Sequence, residues 1–234
     1  MMEYPRTKPG TQPEYLHELY RASVRRAPRQ PLITLPHTIC ELSGPVYGHN
    51  PIGETDNDLT RHFAEAPQGE RIIVAGRVLD EDGRGVPNAL VEIWQANAAG
   101  RYRHSRDEHP APLDPNFLGC GRAITDDAGN YRFVSIKPGA YPWHNQHNAW
   151  RPAHIHFSLF GPAFVTRLVT QMYFSGDPLM PFDPLLNGVP DPEARERLVS
   201  KFDLSLTQPD WALGYCFDIV LRGRRSTPFE ENSK

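Results

Sequence analysis

Proline occurs 24 times in these 234 residues, about twice the average usage. An interior proline removes a helical hydrogen bond and drives its ring into the preceding turn, at a cost of about 3 kcal/mol. A bundle of long helices is therefore excluded. Disorder is excluded as well, because 39% of the residues are hydrophobic and a chain of this length can bury a full core without disulfide or metal staples. The combination predicts an all-β protein with long loops.

Residues 71–79, 89–95, 131–136, 153–160, 167–174 and 214–221 read as strands, with turn-forming clusters at 80–85 and 126–129. In the second of them Leu90, Glu92 and Trp94 alternate with Val91, Ile93 and Gln95 across two faces. Short strands joined by turn-rich loops predict an antiparallel β-sandwich core. One or two short helices are expected beside it. One lies in 14–25, where Leu16, Leu19, Tyr20 and Ser23 recur at helical spacing. The other starts at Asp191 as cap, with Pro192 in its first turn and Ala194, Leu198 and Phe202 as an apolar stripe. Residues 1–70 carry little periodicity and are expected to form an irregular arm making inter-subunit contacts, followed by one β-sandwich domain over 71–234.

The formal charge of −3 supplies no field to gather nucleic acid or an anionic membrane. No apolar run approaches the roughly 20 residues that span a bilayer, and the N-terminal residues show no apolar signal segment. Cys40, Cys120 and Cys216 lie far apart and form neither a metal clip nor a disulfide framework. A cytoplasmic protein without nucleic-acid or membrane partners is the expectation.

The densest chemistry lies between Tyr141 and Phe157. In a strand, His154 and His156 share a face about 7 Å apart, close enough to converge on one ion. Zinc would be satisfied by further imidazoles such as His144 and His147. A ferric ion would draw anionic oxygens, for which Tyr102 and Tyr141 are available. Spacing alone leaves iron, zinc and ordinary core histidines open.

The stretches Gly100-Arg-Tyr-Arg-His104, Ala111-Pro-Leu-Asp-Pro-Asn-Phe117 and Arg151-Pro-Ala-His-Ile-His-Phe157 resemble the intradiol ring-cleavage dioxygenases. With Glu70-Arg-Ile-Ile-Val-Ala-Gly-Arg-Val78 and Phe217-Asp-Ile-Val-Leu-Arg-Gly223, the likeness is to the β-subunit branch that acts on protocatechuate, and it runs from about residue 28 to 229. The resemblance implies a mononuclear, non-haem Fe(III) held by Tyr102, Tyr141, His154 and His156. It implies intradiol cleavage of protocatechuate with O2 in aromatic catabolism (the β-ketoadipate pathway), with Tyr141 the ligand that departs when the catechol binds. It further implies Tyr20, Trp143, Arg151 and Gln171 around the substrate, with Arg151 stabilising negative charge on the ring. An α subunit is the implied partner, in a higher αβ oligomer. One departure stands out: His144 occupies a position where arginine is expected, which leaves its role toward a substrate carboxylate open.

A catechol or hydroxyquinol dioxygenase would share the iron site but usually carries a longer helical N-terminal region. A non-catalytic, transthyretin-like binding module would share Gly76-Arg-Val and Asp127-Ala-Gly but would need none of the tyrosine and histidine matches. A zinc hydrolase would differ at once in metal content.

Overall fold

The computed structural model describes residues 7–31, 51–143, 149–160 and 168–229. His144, His147 and Cys40 lie outside the described residues. The described strands are β1 (Arg71–Leu79), β2 (Leu90–Trp94), β3 (Cys120–Ile124), β4 (Asn130–Ile136), β5 (Tyr141–Pro142), β6 (Trp150–Arg151), β7 (His154–Phe160), β8 (Leu168–Phe174), β9 (Val199–Phe202), β10 (Leu213–Cys216) and β11 (Ile219–Val220). The all-β expectation holds. One continuous ladder runs β11-β1-β10-β9-β8-β7-β2-β3, with β4 on β1, while β5 and β6 form a separate hairpin.

The ladder folds over on itself. Phe157 of β7 meets Phe133 and Tyr131 of β4 at ring-centroid distances of 6.4 and 5.8 Å, and Phe217 at 5.2 Å. Val91, Ile93, Ile155 and Leu159 fill the same fully buried layer, each contributing about 1.5–3 kcal/mol by leaving water. Alternation on β7 follows directly: Ile155 and Phe157 enter this core, so His154 and His156 project from the opposite face.

Three expectations need correction. The sheet is not wholly antiparallel, since β1 pairs in parallel with β10 and β11, and β8 with β9. A period of two is the same for either direction. The long crossover from β8 to β9, residues 175–198, brings Val199 in beside Tyr173 with both strands running the same way, which a long connection allows and a tight hairpin does not.

The stretch 214–221 is two strands, β10 and β11, lying end to end along β1. At the break the Phe217 carbonyl crowds Gly76, where a β-carbon would sit 1.8 Å from it. The Asp218 carboxylate takes a ladder position by accepting from Arg77 N–H at 2.8 Å.

Both helices are shorter than the periodicity suggests. The first spans Arg21–Arg26, because Ser23 Oγ bonds both the amide and the carbonyl of His17 and holds 17–20 in a turn. The second is Pro192–Glu196, capped by Asp191 as expected. Beyond it Tyr173 N–H donates to the Leu198 carbonyl and β9 joins the sheet, so Phe202 lies on a strand, half-exposed. Pairing energy overrides helical spacing there. The N-terminal segment is fastened to this region: Lys8 bridges Asp191 and Glu193, and Asp191 N–H donates to the Gly10 carbonyl.

Candidate metal centre

Three neighbouring strands place their outward side chains on one patch. His156 of β7 stands directly opposite Trp94 of β2 and Gln171 of β8, and His154 stands opposite Tyr173 of β8. The β5–β6 hairpin lies over this face with Tyr141 opposite Arg151. Loops cover the rest, so His154 and His156 are buried although they point away from the core.

Tyr102 comes from a loop with its own framework. Asn97 Oδ1 accepts from the amides of Ala99 and Arg101, and Asp107 Oδ2 accepts from Tyr102 N–H at 2.7 Å. The loop crosses the segment leading to Tyr141 at close quarters. Gly100 has φ +78°, and a β-carbon on it would meet the Ala140 carbonyl at 2.0 Å. At Gly139 one would meet the Ala98 carbonyl at 2.4 Å. Glycine at both points lets the two tyrosine-bearing segments touch.

The result is a closed circuit of four rings. Centroid distances are 5.4 Å from Tyr102 to Tyr141, 5.4 Å from Tyr141 to His154, 4.9 Å from His154 to His156 and 6.3 Å from His156 back to Tyr102. His154 Nδ1 lies 2.7 Å from the Pro152 carbonyl oxygen, so this nitrogen carries the proton and donates it. The lone pair is thereby left on Nε2, which faces Tyr141 Oη at 3.2 Å. Burial above all, then the charge of Arg151 and the neighbouring His156, pulls His154 well below the usual imidazole range. A neutral imidazole with its free nitrogen inward is what a metal ligand requires. Among the described residues no cluster of three His, Cys, Asp or Glu side chains forms; the side chains beside the two imidazoles are the phenol rings of Tyr102 and Tyr141. The imidazole-only zinc arrangement would rest on His144 and His147, outside the described residues.

The surrounding residues expected from sequence gather here as well. Arg151 Nη1 lies 3.1 Å from His154 Nε2, and its guanidinium carbon is 5.6 Å from the centre of the Trp143 ring. Trp143 in turn meets Tyr20 at 5.0 Å. Gln171 Oε1 accepts from Arg151 Nη2 at 2.6 Å and from Tyr173 Oη at 2.9 Å. Tyr20, Gln171, Tyr173 and Leu185 line a cavity between the N-terminal segment and β8.

Three residues escaped the sequence reading. Trp94 stacks on His156, Tyr173 accepts from Arg151 Nη2 at 2.8 Å, and Asp183 receives Arg151 Nη2 at 2.9 Å and Nε at 3.2 Å. Tyr173 could have been found by alternation from Gln171. Asp183 is signalled as a helix cap by Asp183-Pro184, but nothing local ties it to Arg151.

The chain is similar to known proteins along most of its length. Residues 42–223 match the dioxygenase family model, and residues 4–38 match the model for the N-terminal region of protocatechuate 3,4-dioxygenase β subunits. The protocatechuate 3,4-dioxygenase β chain of Burkholderia cepacia is 59% identical over 220 residues, covering 93% of each chain. The protocatechuate 3,4-dioxygenase α chain of Pseudomonas putida is 32% identical, over 85% of this chain and 98% of its own. In structure, hydroxyquinol 1,2-dioxygenase from Pseudomonas putida DLL-E4 shares the fold with a TM-score of 0.55 at 24% identity, over 89% of this chain and 71% of its own.

Proposed function

Because this chain belongs to the intradiol ring-cleavage dioxygenases, on the branch of the protocatechuate 3,4-dioxygenase β chains, we propose that Tyr102, Tyr141, His154 and His156 hold a ferric ion. The activity is that of protocatechuate 3,4-dioxygenase. O2 is inserted between the two hydroxyl-bearing carbons of protocatechuate, giving 3-carboxy-cis,cis-muconate with both oxygen atoms incorporated.

The observation that carries the metal assignment is the closed circuit of two phenols and two imidazoles, with His154 Nε2 turned inward by the Pro152 carbonyl. Two phenolates and a hydroxide balance a 3+ charge, so such a site tolerates burial. When bound, Fe(III) would supply a Lewis acid that a catechol can chelate through both oxygens, which favours the deprotonated, electron-rich form of its ring.

The protein's own groups do the rest. Pro152 fixes the His154 tautomer, and Trp94 fixes the plane of His156. Tyr141 would be a ligand of the metal, and its phenolate Oη would be the group able to accept one catechol proton. Arg151 directs its charge at the negative charge that grows on the ring. Tyr20, Trp143 and Gln171 shape the wall that receives the ring.

The same reading gives the chain an α-chain partner in a hetero-oligomer, with residues 1–70 as the inter-subunit arm. It puts the enzyme in the cytoplasm, where the free thiols of Cys120 and Cys216 stay reduced. Among the described residues no helix is long and apolar enough to cross a membrane.

The test is a visible spectrum of the chain, co-expressed with an α chain, before and after anaerobic protocatechuate. Iron-bound tyrosinate gives a red-brown charge-transfer band, and the expected result is a band that shifts on adding substrate. A colourless protein that holds zinc, or that takes up no iron on reconstitution, overturns the assignment.

A further inference from the structure

Asp183 is an acidic side chain in the network that holds Arg151, and it is completely buried, 0% exposed against 3% for the arginine. Its two oxygens have separate tasks. Oδ1 accepts from Leu185 N–H at 2.8 Å and so caps the short helix Pro184–Asn187. Oδ2 accepts from both Nε and Nη2 of Arg151. One edge of the guanidinium is thereby gripped by the carboxylate. Gln171 and Tyr173 add acceptors at Nη2, while Nη1 alone reaches toward His154 Nε2.

From this arrangement we propose that Asp183 is a positioning residue for catalysis, which aims the Arg151 guanidinium at the reacting ring and offsets its charge. The inference rests on the dioxygenase reading above. Two physical requirements lead to it. A buried guanidinium without a counter-charge is strongly disfavoured, and here it lies beside the nitrogen that would bind a ferric ion. A carboxylate on its far side lets cation and cation stand close. Second, when His154 Nε2 turns to a metal, Arg151 loses that contact, but its bonds to Asp183, Gln171 and Tyr173 do not depend on His154, so the guanidinium keeps its place facing the substrate. Because Oδ1 also caps Pro184–Asn187, the same side chain ties the arginine to the element that carries Leu185 on the cavity wall.

The experiment uses the iron-loaded complex with the α chain and compares wild type, Asp183→Asn, Arg151→Gln and the double variant. Asparagine keeps one capping oxygen and removes the charge. Asp183→Ser, whose shorter side chain also caps, is the second variant should Asp183→Asn not fold. The expected result is a kcat at least about tenfold lower, since a misaimed charge loses transition-state stabilisation. The KM for protocatechuate, and its affinity in an anaerobic spectral titration, should stay within about threefold, because binding is spread over other contacts. The double variant should be no slower than Arg151→Gln. A kcat within twofold of wild type, or a double variant slower by the full Asp183→Asn factor, overturns the proposal. A wild-type complex that takes up no iron and leaves protocatechuate intact overturns instead the reading beneath it.

Discussion

Trp94 lies flat against His156, with ring centroids 4.7 Å apart and planes 6° from parallel. The two face each other across the β2–β7 ladder, so the stack is set by register rather than by a loop. An aromatic pair of this kind is worth about 0.5–1.5 kcal/mol beyond its buried area. Trp94→Leu is therefore expected to lower stability by about 1–2 kcal/mol and to let a chelator strip iron faster, with Trp94→Phe intermediate. Denaturant midpoints and the decay of the visible band measure the two effects. A Trp94→Leu protein that holds iron as long as wild type would show that His156 is oriented by other contacts.

Gly100 and Gly83 have nearly the same backbone, φ +78° and +80°, but different surroundings. A β-carbon at Gly83 meets nothing within 4 Å, whereas at Gly100 it meets the Ala140 carbonyl at 2.0 Å. Gly83→Ala should lose only the backbone term, about 1–3 kcal/mol, and keep full iron uptake. Gly100→Ala adds a steric clash that pushes the Tyr102 loop off the Tyr141 segment. Its expected result is a larger stability loss and iron occupancy well below one per chain, read by metal analysis. Equal behaviour of the two variants would contradict the crossing described above.

What could be read from sequence was what local periodicity carries. The alternation of His154-Ile155-His156-Phe157 put both imidazoles on one face and both apolar residues in the core, as the structure has them. The same kind of reasoning misled at 191–202: Ala194, Leu198 and Phe202 have helical spacing, but sheet pairing claims Val199–Phe202. Strand direction was invisible because a two-residue period does not distinguish parallel from antiparallel neighbours. The closed circuit of four rings was legible only through family likeness, since Tyr102 comes from a loop and Tyr141 from the separate β5–β6 hairpin. Asp183 was not legible at all, for its bond to Arg151 spans 32 positions and exists only once β6 and the cap of Pro184–Asn187 are packed together.

The turn at 126–130 makes a pH prediction. Asp126 Oδ1 accepts from the amides of Ala128 and Asn130, and Oδ2 from Asn130 Nδ2. The Asn130 side chain first, then the backbone amides, hold its carboxyl below the ordinary value of 3.8. A depressed folded value means that the ionised form favours the folded state. The contribution is complete above the unfolded value, about 3.9, and is lost as pH falls through the lower folded one. The stability gap between wild type and Asp126→Asn should thus be constant from pH 5 to 7 and shrink toward about pH 2–3, in denaturant titrations at each pH. A gap that grows on acidification would show that the unfolded state, and not this turn, holds the carboxylate.

Tyr131 offers the complementary case on the core side of the sheet. Its hydroxyl donates to the Phe217 carbonyl at 2.5 Å, at the point where β10 breaks before β11. Burial foremost pushes its phenol well above the ordinary value of 10, so it stays protonated and remains a donor throughout the working range. Tyr131→Phe keeps the ring packed against Phe133 and Phe157 but deprives a buried carbonyl of its donor, which costs about 1–3 kcal/mol. Tyr131 lies in the core layer beneath the strand that bears the histidines, packed against Phe157 on the face opposite them. The expected outcome is a lower denaturant midpoint, unchanged between pH 6 and 9, with turnover per bound iron as in wild type. Loss of turnover at full iron occupancy would mean that the β10–β11 break is mechanically coupled to the metal face, and that the core between them transmits the change.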